Sequence, residues 1–196
     1  MKRVEGVRDF RLSSKKAQTR RRADTPTLFA EDRFIDAPAL FVPMVSSENR
    51  RYIPMDFVNG VVINNKALFI PNCDLYIFGV LNSSIMMTWL KTVGGQFKSD
   101  YRFSATTVYN TFPWCSPTDK QRRAIEDAAQ KILDVREKYS GGALADLYDE
   151  LSMPKDLRDA HKKNDRAVAQ AYGLENIWEN ESKITAEMLK MYNQHS

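Results

Sequence analysis

The sequence predicts an α+β fold, with a mixed α/β domain over residues 1–115 followed by an α-helical segment over 116–196. Three observations lead there. Short β-branched and aromatic runs bounded by Pro, Asn and Gly occupy the first part. Helical periodicity dominates the second. The composition changes near Pro113–Pro117, between the two.

The elements follow in order. "ALFVPMVS" (39–46) and "GVVINNKALFIP" (60–71) read as strands. "DLYIFGVLNSSIMMTWLKTVGG" (74–95) reads as one helix, because Leu75, Phe78, Leu81, Ile85 and Trp89 recur at spacings of three and four and glycine ends the run. "GGQFKSDYRFS" (94–104) then leaves the helix end. Its alternation suits an edge strand, with Phe97, Ser99, Tyr101 and Phe103 on one side and Lys98, Asp100 and Arg102 on the other. "SPTDKQRRAIEDAAQKILDVREKYSGG" (116–142) reads as a helix capped by Ser116, with Pro117 and Asp119 in its first turn. Its apolar stripe is Ile125, Ala129, Ile132, Val135 and Tyr139. "MPKDLRDAHKKNDRAVAQAYG" (153–173) repeats that logic, with Leu157, Ala160, Asn164, Val168 and Ala171 along one face and Gly173 at the end. "KITAEMLKMYNQ" (183–194) forms a terminal helix, and the helical tail is expected to pack back on the first domain.

A hydrophobic fraction of 43% is enough to bury a core, and a net charge of +4 leans mildly towards an anionic partner. The basic excess sits at the front. Residues 1–22 hold nine Lys/Arg against Glu5 and Asp9. Such a run is either a solvated tail or an arm for nucleic acid. The apolar run Tyr76–Leu90 is interrupted by Asn82, Ser83 and Ser84 and is too short to span a bilayer. No signal peptide is visible, so no membrane contact and a cytoplasmic location are expected.

Catalytic machinery is not evident. No Gly-rich turn after a strand supplies a dinucleotide or S-adenosylmethionine cradle. Cys73, Cys115, His161 and His195 lack metal-ligand spacing, so no metal site is expected, and His161 reads as a surface or interface residue. "YNTFPW" (109–114) lacks the Asn-Pro-Pro-aromatic series of an adenine-N6 methyltransferase loop; Phe112, Pro113 and Trp114 read instead as an anchor for the end of the first domain. The chain alone is therefore expected to have no catalytic residue and no cofactor. Lys98 and Asp100 stand out as a donor and an acceptor side by side. A G·C pair in the major groove presents acceptors on G and a donor on C, which this pair complements.

"VPMVSSENRRYIP", "FGVLNSSIMMTW", "GGQFKSDYRFSATTVYNTFPW", "LADLYDELSMP" and "LRDAHKKNDRAVAQAYG" resemble, in this order, the C-terminal third of MmeI-like proteins. These are large bacterial proteins that fuse an endonuclease, an adenine-N6 DNA methyltransferase and a target-recognition domain. The resemblance runs from about Val7 to Gly173 and implies a target-recognition domain (1–115) with a helical C-terminal domain (116–196). It implies double-stranded DNA as a partner, and the methyltransferase domain of the same parent chain as another. S-adenosylmethionine would serve that parent, not this chain. Lys98 and Asp100 match positions that vary in the family with the base read beside the target adenine, where Lys/Asp goes with G. Ser46, Ser47, Arg50 and Arg51, with Lys15, Lys16 and Arg20 of "SSKKAQTR", match segments suited to the DNA backbone, and Arg102 of "GGQFKSDYRFS" is grouped with them. Three positions depart from the family pattern: Gln96 stands where Arg is common, Cys115 where Pro is usual, and Met86 where His is frequent. The chain is then a fragment or a split specificity subunit. The rival reading is a helical docking module without direct DNA readout.

Overall fold

The computed structural model describes residues 1–29 and 34–195. The front end, read above as a basic tail or arm, is helical: α1 (Lys2–Leu12) and α2 (Ala17–Arg21) lead into a 3-10 turn (Arg22–Asp24). Arg11 closes the unit by donating to the carbonyls of Arg22 (2.7 Å), Thr25 (2.8 Å) and Leu28 (2.7 Å). No residue of α1 is buried.

Among the described residues eight short strands follow, in three antiparallel sheets. β1 (Phe34–Ile35) pairs with β5 (Val61–Val62). β2 (Ala39–Pro43) lies between β4 (Asp56–Val58) and β6 (Ala67–Pro71). β3 (Val45–Ser46) pairs with β8 (Asp100–Arg102), which pairs with β7 (Gly95–Phe97). The run 39–46 is therefore two strands in two sheets, not one. Met44 is the pivot: its N–H donates to Lys66 O at 3.0 Å, and its carbonyl accepts from Phe103 N at 2.9 Å. The run 60–71 also divides, at a turn in which the Asn64 side chain accepts from Lys66 N at 2.8 Å.

The single helix expected over 74–95 is two, α3 (Leu75–Leu81) and α4 (Ser84–Val93). At the break Asn82 donates from its side-chain amide to Phe78 O and Ser83 donates to Val80 O, so local side chains replace the helical ladder. Ser83 then caps α4 by accepting from Met86 N. Apolar spacing persists across the break, which is why periodicity alone runs through it. In the tail, α5 (Asp119–Glu137) begins with a capping box of Thr118 and Gln121 rather than with Ser116. The short α6 (Leu144–Leu147), then α7 (Lys155–Ala171) and α8 (Glu181–His195) complete the chain.

One core joins both halves. Leu40, Val42, Phe78 and Trp89 belong to the same buried cluster as Ile125, Ile132, Leu157, Val168 and Met188. The two halves approach closely at Gly79 of α3. A Cβ there would lie 2.7 Å from Ile125 Cγ2 and 2.9 Å from Asn164 Oδ1, and Asn164 also donates to Gly79 O at 2.7 Å. Gly79→Ala is expected to cost roughly 1–3 kcal/mol by overpacking this seam, measured as a lower denaturation midpoint. An unchanged midpoint would mean the seam opens without cost.

Candidate nucleic-acid interface

The segment 94–104 is a β-hairpin. Cα partners are Gly95↔Arg102, Gln96↔Tyr101 and Phe97↔Asp100, so Lys98 and Ser99 form a two-residue turn. Gly94 is required at its base, since a Cβ would collide with the Leu90 carbonyl at the end of α4. β3 extends the ladder through Val45↔Arg102 and Ser46↔Tyr101. Side chains alternate across such a sheet. One face carries Val45, Phe97, Asp100 and Arg102; Val45 is 40% and Phe97 60% exposed. The other carries Tyr101 and Ser46 towards the core, with Ser46 buried.

Lys98 and Asp100 do not share a strand face as the alternation predicts. Lys98 sits at the exposed tip with φ 60°, and Asp100 opens the return strand. The hairpin brings the two side chains to one end of the ribbon by a turn instead of an extended backbone. A left-handed lysine costs on the order of 1 kcal/mol relative to glycine at such a place.

The proposed backbone contacts divide. Lys15, Lys16, Arg51 and Arg102 are exposed. Ser46 is not available at the surface: it is 2% exposed, and its hydroxyl accepts from Arg50 at 3.5 Å. Ser47 is half-buried and its hydroxyl accepts from Asn49 N at 3.3 Å, which shapes the loop. Arg50 also donates to Ala145 O at 3.3 Å, tying the loop to the helical half, so its guanidinium points inward rather than to a phosphate. Arg20 donates to the carbonyls of Ser14 and Lys15, both at 2.9 Å, and holds the turn that displays Lys15 and Lys16.

Behind the loop lies a cleft of about 500 Å³ between the two halves, lined by Arg50, Arg51, Lys91 and Lys162 on one count of charge and Glu48, Glu150, Glu179 and Glu181 on the other. Its floor is a buried polar network that sequence reasoning missed. Tyr52 donates to Asp165 Oδ2 at 2.7 Å, and Ser84 N donates to Asp165 Oδ1 at 2.7 Å. The Tyr52 ring stacks on His161 at 4.0 Å. His161 is fully buried, not a surface residue; its Nε2 lies 2.7 Å from Tyr148 Oη and its Nδ1 3.4 Å from Asn82 O. Arg136 donates to Tyr148 Oη and to Met55 O, each at 2.7 Å.

Burial holds the His161 pKa well below its ordinary value, and the Arg136 charge adds to this, so the ring is neutral. The proton assignment is then consistent: Nδ1–H donates to Asn82 O, while Tyr148 accepts from Arg136 and donates to Nε2. Burial pushes Asp165 up to about 6, against the lowering effect of the bonds from Tyr52 and Ser84 N. The network locks Tyr52, and with it the Arg50–Arg51 loop, onto α4 and α7. The signal available in the sequence was His161, Asn164 and Asp165 together on the helix that also carries the apolar stripe of Leu157, Ala160 and Val168.

The model of the MmeI target recognition domain matches residues 1–116, and that of the MmeI C-terminal domain matches residues 117–196. This chain belongs to the MmeI family. DNA methyltransferase A of Bacillus subtilis (strain 168) is 37% identical over 191 residues, which is 97% of this chain and 22% of that protein. The structure of the type IIL restriction-modification enzyme MmeI in complex with DNA matches with a TM-score of 0.91 at 41% identity, over 97% of this chain and 26% of that one. The chain thus spans about a quarter or less of these relatives. In MmeI terms it comprises the target-recognition domain, which holds the three sheets and the hairpin, and the C-terminal domain, which supplies α5 to α8.

Proposed function

We propose that this chain binds double-stranded DNA and reads its sequence with the β7–β8 hairpin, as the recognition module of a restriction-modification DNA methyltransferase. The observation that carries this reading is Lys98, a non-glycine residue at φ 60° with its side chain exposed at the hairpin tip. A strained residue persists where its side chain is needed. A β-ribbon fits the major groove, where Lys98 donates to O6 or N7 of G and Asp100 accepts from N4 of the paired C. Lys15, Lys16, Arg51 and Arg102 neutralise phosphates and set the register. Ser47 contributes through the loop it shapes. Ser46 and Arg50 act behind the surface, and Arg20, itself exposed, holds the turn that displays Lys15 and Lys16.

The similarity to DNA methyltransferase A and to MmeI supports a parent that transfers a methyl group to adenine N6, on a base flipped out of the duplex, with or without an endonuclease in the same chain. S-adenosylmethionine supplies the methyl group in such proteins. In this reading the cofactor belongs to the methyltransferase domain of the parent, in keeping with a chain that matches the target-recognition and C-terminal domains. This chain's part is to place the adenine by holding the bases beside it. We place the protein in the cytoplasm, with its DNA; among the described residues no helix is long and apolar enough to cross a membrane.

Binding is expected to weaken with salt at a log–log slope of about −0.9 per phosphate neutralised. Arg51→Ala lowers affinity for all duplexes about equally and reduces the slope by roughly one contact, measured by titration of labelled duplex at several salt concentrations. Binding that ignores salt would instead favour the helical docking module.

A further inference from the structure

Phe97 has no role in the reading above, yet it stands 60% exposed beside the hairpin tip. It does not belong to the core face of its sheet, because it pairs with Asp100 and the two side chains point the same way. We infer that Phe97 is a specificity residue that contacts the 5-methyl group of a thymine, in the base pair next to the one read by Lys98 and Asp100. The inference rests on that reading.

The occupant follows from the setting of the ring. Directly opposed residues on an antiparallel pair have Cβ atoms about 4.5–5.5 Å apart. Successive bases rise about 3.4 Å along one strand. A hairpin that brings Asp100 to one base edge therefore brings Phe97 within reach of the next, and no further. Lys98 follows Phe97 at the tip and Arg102 lies two residues beyond its directly opposed partner Asp100, so the charge around the ring is positive on balance, which suits an anionic duplex better than an apolar protein surface. In the major groove the one apolar feature of a base edge is the thymine methyl, and aromatic and aliphatic side chains meet it by contact alone. Val45, 40% exposed on the same face, lies two strands away, across Arg102 of β8.

The test uses the intact protein and duplexes selected from a random-sequence pool. Three versions are compared: wild type, Phe97→Ser and Phe97→Leu. Because Phe97 is exposed, neither change is expected to disturb folding, which circular dichroism checks. In the selected site each thymine is replaced in turn by deoxyuridine, which removes only the methyl group. Wild type should lose about fourfold in affinity at one thymine, beside the G·C pair, the order expected for burying one methyl. Phe97→Leu should keep most of that loss, and Phe97→Ser should bind the thymine and deoxyuridine duplexes equally. A deoxyuridine effect at no position, or one of the same size in Phe97→Ser, overturns the inference while leaving the Lys98–Asp100 reading intact. If exchanging the charges of Lys98 and Asp100 leaves the preferred base pair unchanged, both fall together.

Discussion

Asp165→Ala is expected to lower the stability of the chain by roughly 2–4 kcal/mol, because it strands a buried donor, Tyr52 Oη, and a partly buried one, Ser84 N, at once. Tyr52 Oη and Ser84 N each donate to this carboxylate at 2.7 Å, and Asp165 itself is 2% exposed. The Ser84 N–H is in the first turn of α4 and has no acceptor within its own helix. The Tyr52 hydroxyl is buried. The loss should appear as an earlier denaturation midpoint, and with Tyr52 released the Arg50–Arg51 loop should become the first segment to exchange its amides.

The same residue gives a pH signature whose sign can be worked out. The folded-state pKa of Asp165 is raised from 3.8 to about 6, so its contribution to stability is fully present below about pH 3.8 and is lost as pH rises through about 6. His161 acts in the opposite sense. Its pKa is lowered from 6.5, so its contribution is present above pH 6.5 and is lost as pH falls. Between about pH 4 and 6 the two slopes oppose each other. Asp165→Asn removes the first and leaves the second, while retaining one acceptor oxygen. Taken as a difference, the wild type should gain stability on this variant as pH falls from about 6 to about 4. A difference that stays constant over that window contradicts a buried carboxylate with a raised pKa. Urea denaturation of both proteins across the range measures it.

Much of the fold can be read in the sequence where one physical signal dominates. The stripe Leu157, Ala160, Asn164 and Val168 forms the buried face of α7 as its spacing requires. Phe112 and Trp114 meet edge to face at 5.0 Å and close the first domain, as the aromatic cluster suggested. The break between α3 and α4 was hidden because the apolar period survives it, and only the hydrogen bonds of Asn82 and Ser83 interrupt the ladder. The capping box was legible in Thr118-x-x-Gln121, but Ser116 offered a competing cap two residues earlier. Lys98 and Asp100, the proposed readers, were singled out as a chemical pair on the wrong backbone. Strict alternation argued for an extended strand, and nothing in "FKSD" announces a turn that glycine or asparagine would normally occupy. His161 was misplaced for a related reason: its neighbours Lys162 and Lys163 are charged, and its burial depends on Tyr52 and Tyr148, which are far from it in sequence or hidden in a loop.

If the hairpin tip reads one base pair, the charge exchange Lys98→Glu with Asp100→Arg should change which pair it prefers. The exchange leaves the turn, the strand pairing and the summed charge of the two positions unaltered. It moves the acceptor to the tip and the donor to the return strand, so the complementary base pair becomes C·G in place of G·C. Each such contact discriminates by about 1–3 kcal/mol, which is large enough to change the dominant base at a single position of the site. The measurement is the recognition sequence of both proteins, obtained from the methylated sites mapped across a genome that expresses the intact parent. One position beside the modified adenine should turn from G to C while every other position keeps its preference. A site that retains G there, with activity undiminished, would contradict the account and return "GGQFKSDYRFS" to an ordinary edge ribbon.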